Sequence, residues 1–292
     1  AIARRELAAA NASLGVVRID AAESALARAH AAAAGFVFAP LAVELALAEA
    51  RLLTLRGEYD QAAKEFERVY HQAFALGHDD VAMAAILELV PAVGYDLGEP
   101  EQGLAWAHHA ESLIERSGDE RNQAQLLHAR AKLHHRLGDH EQAIDLLEQS
   151  LRIRRRVTGP RSVEVGNSLN DLSNALDRLG KPDEARARLD EAIAIKLETL
   201  GDYSTSTAGS LTNLGLLLWK AGDDDAAIAN HERALAIFEH AYGPKHRSVA
   251  GTSLNLAKAL HSAGRDAEAL PVIERALAIV HEAENDAPGL EV

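Results

Sequence analysis

There is no cysteine among the 292 residues. Its absence excludes disulfides, thiolate zinc sites and cysteine nucleophiles, and with nothing asking for an oxidising compartment the cytoplasm is the expected location. Aromatic residues are 4% of the chain and prolines number 8, which removes the aromatic, β-branched character of sheets. No apolar run reaches the roughly 18 residues that a bilayer crossing needs, so no membrane partner is expected. Positive charge is also scarce, with 30 Lys and Arg against 44 Asp and Glu and a formal net charge of −14. That balance repels a phosphate backbone and argues against nucleic acid as a partner. GxxxxGK[ST], GxSxG and HExxH are all missing, so we expect no enzyme, no catalytic residue, no metal and no cofactor.

What the chain has in quantity is alanine, followed by leucine, glutamate and arginine. This is a helix-forming mixture, and 48% hydrophobic content can supply a continuous core. An all-α fold is expected. Its glycines recur: Gly15, Gly57, Gly98, Gly138, Gly180, Gly222 and Gly264 are 40 to 42 residues apart. Between them run Gly35, Gly77, Gly118, Gly159, Gly201 and Gly243, spaced 41 or 42. Glycine ends helices because it takes the left-handed conformation at little steric cost, so two interleaved combs predict two helices per repeat.

The starts agree with the ends. Asp79, Ser162 and Ser204 are cap candidates for first helices, and Pro182-Asp183-Glu184 and Asp223-Asp224-Asp225 open second helices. Leu169, Leu172, Leu176 and Leu179 form a helical stripe that Leu211, Leu214 and Leu218 repeat 42 residues later. Ala185 and Ala192, Ala227 and Ala234, and Ala269 and Ala276 place small residues where partner helices must approach. One hairpin cannot cover its own stripe, so neighbours must stack. Pro91 and Gly94 fall inside a first helix and predict a kink there. In the next repeat Arg130 and His134 stand at leucine phases, which predicts a rotated or shifted helix. Trp106, Trp219, Tyr59, Tyr95 and Tyr203 are expected in core or inter-repeat packing.

The turns LGKPDEA (179–185), AGDDDAA (221–227) and AGRDAEA (263–269), with ALAI at 234–237 and 276–279, resemble tetratricopeptide repeats. The long period, Gly159-Pro160, Gly243-Pro244 and the string NLAKALHSAGRDAEALPVIERALAI (255–279) resemble the long-repeat subclass of kinesin light chains and bacterial signalling proteins. The resemblance implies a right-handed superhelical solenoid of about six to seven antiparallel hairpins. Residues 1–35 are expected as a clipped first repeat or cap, 36–283 as the solenoid and 284–292 as a flexible tail, the whole being a piece of a longer protein.

The resemblance also implies that ligands meet the first helix of each pair on a concave wall. Asn170, Asp171, Asn174, Arg178, Asn213, Lys220, Asn255 and Lys258 occupy the corresponding phases. Amides suit peptide recognition because each can both donate to and accept from a partner's backbone, and the cations would attract carboxylates. The same residues could equally form a solvated helix face. The basic run Arg152, Arg154, Arg155, Arg156 and Arg161 could hold an acidic group, or merely complement a helix C-terminus. The histidines, including His128 and His135, lack ligand spacing. The expected role is a scaffold for a peptide or protein partner, the sensor or recruitment region of a larger bacterial signalling protein carrying a kinase, a sensor ATPase or a caspase-like protease. That partner could be another domain of the same protein. The alternative is a self-association module that drives homo-oligomers.

Overall fold

A computed structural model of the protein describes residues 2–15, 18–35 and 38–285. The fold is all-α. Among the described residues the helices are α1 (Ile2–Gly15), α2 (Ile19–Ala33), α3 (Ala39–Arg56), α4 (Tyr59–Ala75), α5 (Asp79–Pro91), α6 (Pro100–Ser117) and α7 (Glu120–Leu137). They continue with α8 (His140–Val157), α9 (Val163–Arg178), α10 (Pro182–Leu200), α11 (Thr205–Lys220), α12 (Asp224–Tyr242), α13 (Arg247–Ser262) and α14 (Asp266–Asn285). Odd and even helices pair as hairpins, the expected repeat unit; the tail expected from residue 284 begins inside α14, and 286–292 lie outside the described residues. The chain divides into two compact units, residues 1–153 and 154–292.

Twelve of the thirteen glycines of the two combs have positive φ, and the exception, Gly15, is itself the last residue of α1. Gly57, at φ 78°, shows what the conformation achieves: its own N–H reaches Thr54 O at 3.1 Å, and Glu58 N–H reaches Leu53 O at 3.0 Å. Carbonyls that a helix end would leave unpaired are thereby satisfied. The caps are mixed. Ser162 accepts from Val165 N–H as expected, whereas Asp79 is the first residue of α5 rather than its cap, and the Ser204 side chain makes no cap bond. Asp119 and Asp223 cap α7 and α12 instead.

In the first unit Pro91 ends α5 and a π-helical turn, Ala92–Asp96, follows. Leu97 N–H bonds Ala92 O at 3.0 Å, five residues back. The turn lets Gly94 press on Gly103 of α6, where a Cβ on Gly103 would stand 2.6 Å from the Gly94 Cα. The buried set of α7, including Leu126, Ala129 and Leu133, lies one residue ahead of the phase that Leu169, Leu172 and Leu176 hold in α9. Arg130 therefore faces out of the core onto Glu111. Two of the aromatic expectations fail, since Tyr59 and Tyr203 are exposed, whereas Tyr95, though exposed, packs between repeats under Lys132 and Arg136 of α7. Trp106 does pack edge-on to Tyr70.

In the second unit the leucine stripes of α9 and α11 are buried, apart from the exposed Leu179 beyond the end of α9. Each such leucine contributes about 1.5–3 kcal/mol. Ala185, Ala192, Ala227, Ala234 and Ala276 have no exposed surface, which lets the helices of each pair approach closely. The 42-residue register then sets α9, α11 and α13 side by side with equivalent residues aligned.

Candidate functional site

A groove of ≈ 610 Å³ opens along α9, α11 and α13 in the second unit. Four of the residues anticipated from the sequence line it: Asn170, Asn213, Asn255 and Lys258. The alignment of the helices explains their convergence, since Asp171, Asn213 and Asn255 share one phase and Asn174, Leu216 and Lys258 another. Small residues shape the floor. Gly209 and Gly251, also 42 apart, have no atom within 4 Å of where a Cβ would stand, so a ligand can come close to the helix backbone there.

The other anticipated residues lie outside the lining. Asp171 accepts from Asn170 Nδ2 at 3.4 Å, Asn174 is half-buried a turn further along α9, and Arg178 is exposed at the end of that helix. Lys220 is committed to Asp177 at 2.5 Å, an ion pair that ties α11 to α9.

The lining also holds residues that the first-helix phases did not indicate. Lys196 and Phe238 reach in from the second helices α10 and α12, and Ser206, Ser210 and Thr252 from α11 and α13. Lys196 is 3% exposed. Its Nζ donates to Ser210 Oγ at 2.9 Å and to Ser206 O at 3.2 Å. Burial pulls its pKa down to about 8, against the opposing pull of Asp171. Ser210 donates in turn to Asn170 Oδ1 at 2.9 Å, and Asn213 Nδ2 donates to the same oxygen at 3.2 Å. One repeat earlier Arg154 makes the equivalent bonds, to Ser168 Oγ at 2.8 Å and Glu164 O at 3.1 Å. The signal in the sequence is the column Arg154, Lys196, Phe238 set against Ser168, Ser210, Thr252.

Asn255 and Lys258 differ from these. Neither makes a hydrogen bond or ion pair with another described residue, so the groove presents an amide and an ammonium with full bonding capacity. The first unit has a cavity of ≈ 650 Å³ beside Phe38, Leu41 and Leu45, but its polar groups are occupied: His30 pairs with Glu49, and Arg68 with Glu65 and Gln72. Three of the five arginines of the basic run are occupied too: Arg155 bonds Glu191 at 2.6 Å, Arg161 pairs with Glu198 and the half-buried Arg154 bonds Ser168. No three His, Asp or Glu side chains among the described residues converge as metal ligands, and no helix of theirs is long and apolar enough to cross a membrane.

A sequence model described as tetratricopeptide repeat matches residues 92–156, 122–198 and 206–280, more than half of the chain. No curated protein sequence matches it. Solved structures match well. A putative kinesin light chain of Podosopora anserina with nearly identical repeats superposes with TM-score 0.58 at 20% identity, covering 69% of this chain and 96% of that one. NprR in complex with its cognate peptide NprX gives 0.65 at 14% identity, covering 94% and 77%. A signal transduction ATPase of Pyrococcus horikoshii with a tetratricopeptide repeat sensor gives 0.66 at 12% identity, covering 96% of this chain and 43% of that one.

Proposed function

The chain belongs to the tetratricopeptide repeat family, as an array of the kinesin-light-chain type, and from that premise we propose that the groove on α9, α11 and α13 holds an extended peptide segment. The observation that carries this reading is the unpartnered pair Asn255 and Lys258, set beside Asn213 over the glycine floor. Amides bind a peptide backbone whatever its side chains, and Lys258 favours an acidic residue or carboxylate nearby. The peptide complex of NprR and the tetratricopeptide repeat sensor of the Pyrococcus protein are consistent with it. On this reading the array recruits or senses for a larger bacterial signalling protein, whether kinase, ATPase or protease, and carries out no chemistry itself.

Asn255→Ala and Lys258→Glu test the site, with short acidic peptides and their lysine counterparts as fluorescent probes. Asn255→Ala should leave stability within about 0.5 kcal/mol. It should weaken binding by about 1–3 kcal/mol, since a peptide amide is left unpaired. Lys258→Glu should weaken the acidic probes through a slower association that salt evens out. Unchanged affinity in both variants would move the site elsewhere.

The second reading, self-association, rests on α14, where Leu270, Leu277 and Val280 are exposed along one helix. A monomer mass by light scattering that does not change with concentration would remove it.

A further inference from the structure

We propose that Lys196 is a positioning residue that fixes the direction of the hydrogen bonds along the groove and so decides which face of the Asn213 amide a ligand meets. The proposal rests on the groove being the binding site. An ammonium can only donate. Ser210 Oγ must therefore accept from Lys196, at 2.9 Å, and turn its own hydrogen elsewhere. The Ser206 carbonyl is a poor target at 3.5 Å, while Asn170 stands at 2.9 Å. The Asn170 atom that meets the hydroxyl must then be its oxygen, and its other lone pair takes the Asn213 NH₂ at 3.2 Å. Asn213 is left with its own oxygen and one N–H for a ligand. The direction of every bond follows from one donor-only cation under the floor.

The device stops at the next repeat. Arg154 can only donate to Ser168 and holds that hydroxyl one repeat earlier, but the third position is Phe238, so the Thr252 hydroxyl beside Asn255 has no cation to orient it. Asn213 is directed and Asn255 is free to turn, so the two amides offer a ligand different tolerances.

Losing the Lys196 proton should release the arrangement, because a neutral amine can accept the Ser210 hydrogen. The charged group facing Lys196 from α9 is Asp171, which favours the proton. From α11 come only Ser206 and Ser210, since that helix has no charged residue before Lys220, and from α12 comes Phe238. On α10 itself Glu191 and Glu198 are paired with Arg155 and Arg161.

The test is the side-chain amide signals of Asn170 and Asn213 in the ¹⁵N-labelled, ligand-free protein, followed through the pH range on either side of about 8. The wild type should show both signals moving together with that midpoint. Lys196→Met should hold them at the high-pH positions throughout, and Lys196→Arg at the low-pH positions. An Asn213 signal that stays still through the wild-type titration, or that keeps its low-pH position in Lys196→Met, overturns the proposal. Should the Met variant fail to fold, the wild-type titration and the Arg variant decide alone. No ligand is present, so failure here is distinct from failure of the groove reading, which the Asn255 and Lys258 variants decide.

Discussion

His231 of α12 has no exposed surface, and neither ring nitrogen has a hydrogen-bond partner. It fits because Gly215 faces it, where a Cβ would lie 2.5 Å from the imidazole. The neighbouring repeats solve the same packing with Ser173 and Leu189, and with Ala257 and Ile273. Gly215→Ala should therefore cost about 1–3 kcal/mol through overpacking, while Gly215→Ala with His231→Leu should recover most of it in denaturant melts. Burial lowers the His231 pKa from 6.5 to about 4. The unfolded chain thus binds a proton that the folded one refuses, and stability present above pH 6.5 should fall by up to about 1.4 kcal/mol per pH unit towards pH 4. His231→Leu should flatten that part of the profile. At this scale the sequence is only partly readable. Asn213 and Asn255 follow from one helical phase, whereas Lys196 stands on the other helix of its pair and enters the groove only once α10 is packed on α11.

The break after Pro91 is readable as a break, since the ring removes a donor and crowds the preceding turn. Its form is not, because the π-turn depends on the meeting of Gly94 with Gly103, a contact between elements. Gly103→Ala places a methyl group 2.6 Å from the Gly94 backbone, which cannot turn aside, as well as 2.9 Å from the Leu133 side chain, and should cost about 1–3 kcal/mol or more. Hydrogen exchange in that variant should rise first at residues 92–103, and uniform change along the chain would count against this account. The slip of α7 shows in the sequence as Arg130 and His134 at phases where other repeats have leucine. Capping was harder to read. Asp79 has the right chemistry one residue too late, and whether a serine bonds its helix depends on a backbone angle that sequence does not state.

Across the whole chain the hairpin array is legible because one spacing governs both glycine combs, and because stripes that no hairpin can cover demand neighbours. Coverage rather than residue type then decides what a side chain contributes. Ile228 and Leu270 are 42 apart and equivalent, yet Ile228 is buried and Leu270 is 59% exposed. Ile228→Ala should cost about 2–5 kcal/mol and Leu270→Ala under about 0.5 kcal/mol, which paired thermal melts would show. The shared spacing reaches further than stability. Recombination between equivalent glycines such as Gly180 and Gly222 inserts or removes one whole unit and rejoins the helices in phase. Each event also adds or subtracts one rung of groove amides. On the proposed reading, the length of peptide that the groove holds is thus open to inheritance as a number of repeats, separately from the chemistry with which each repeat holds it.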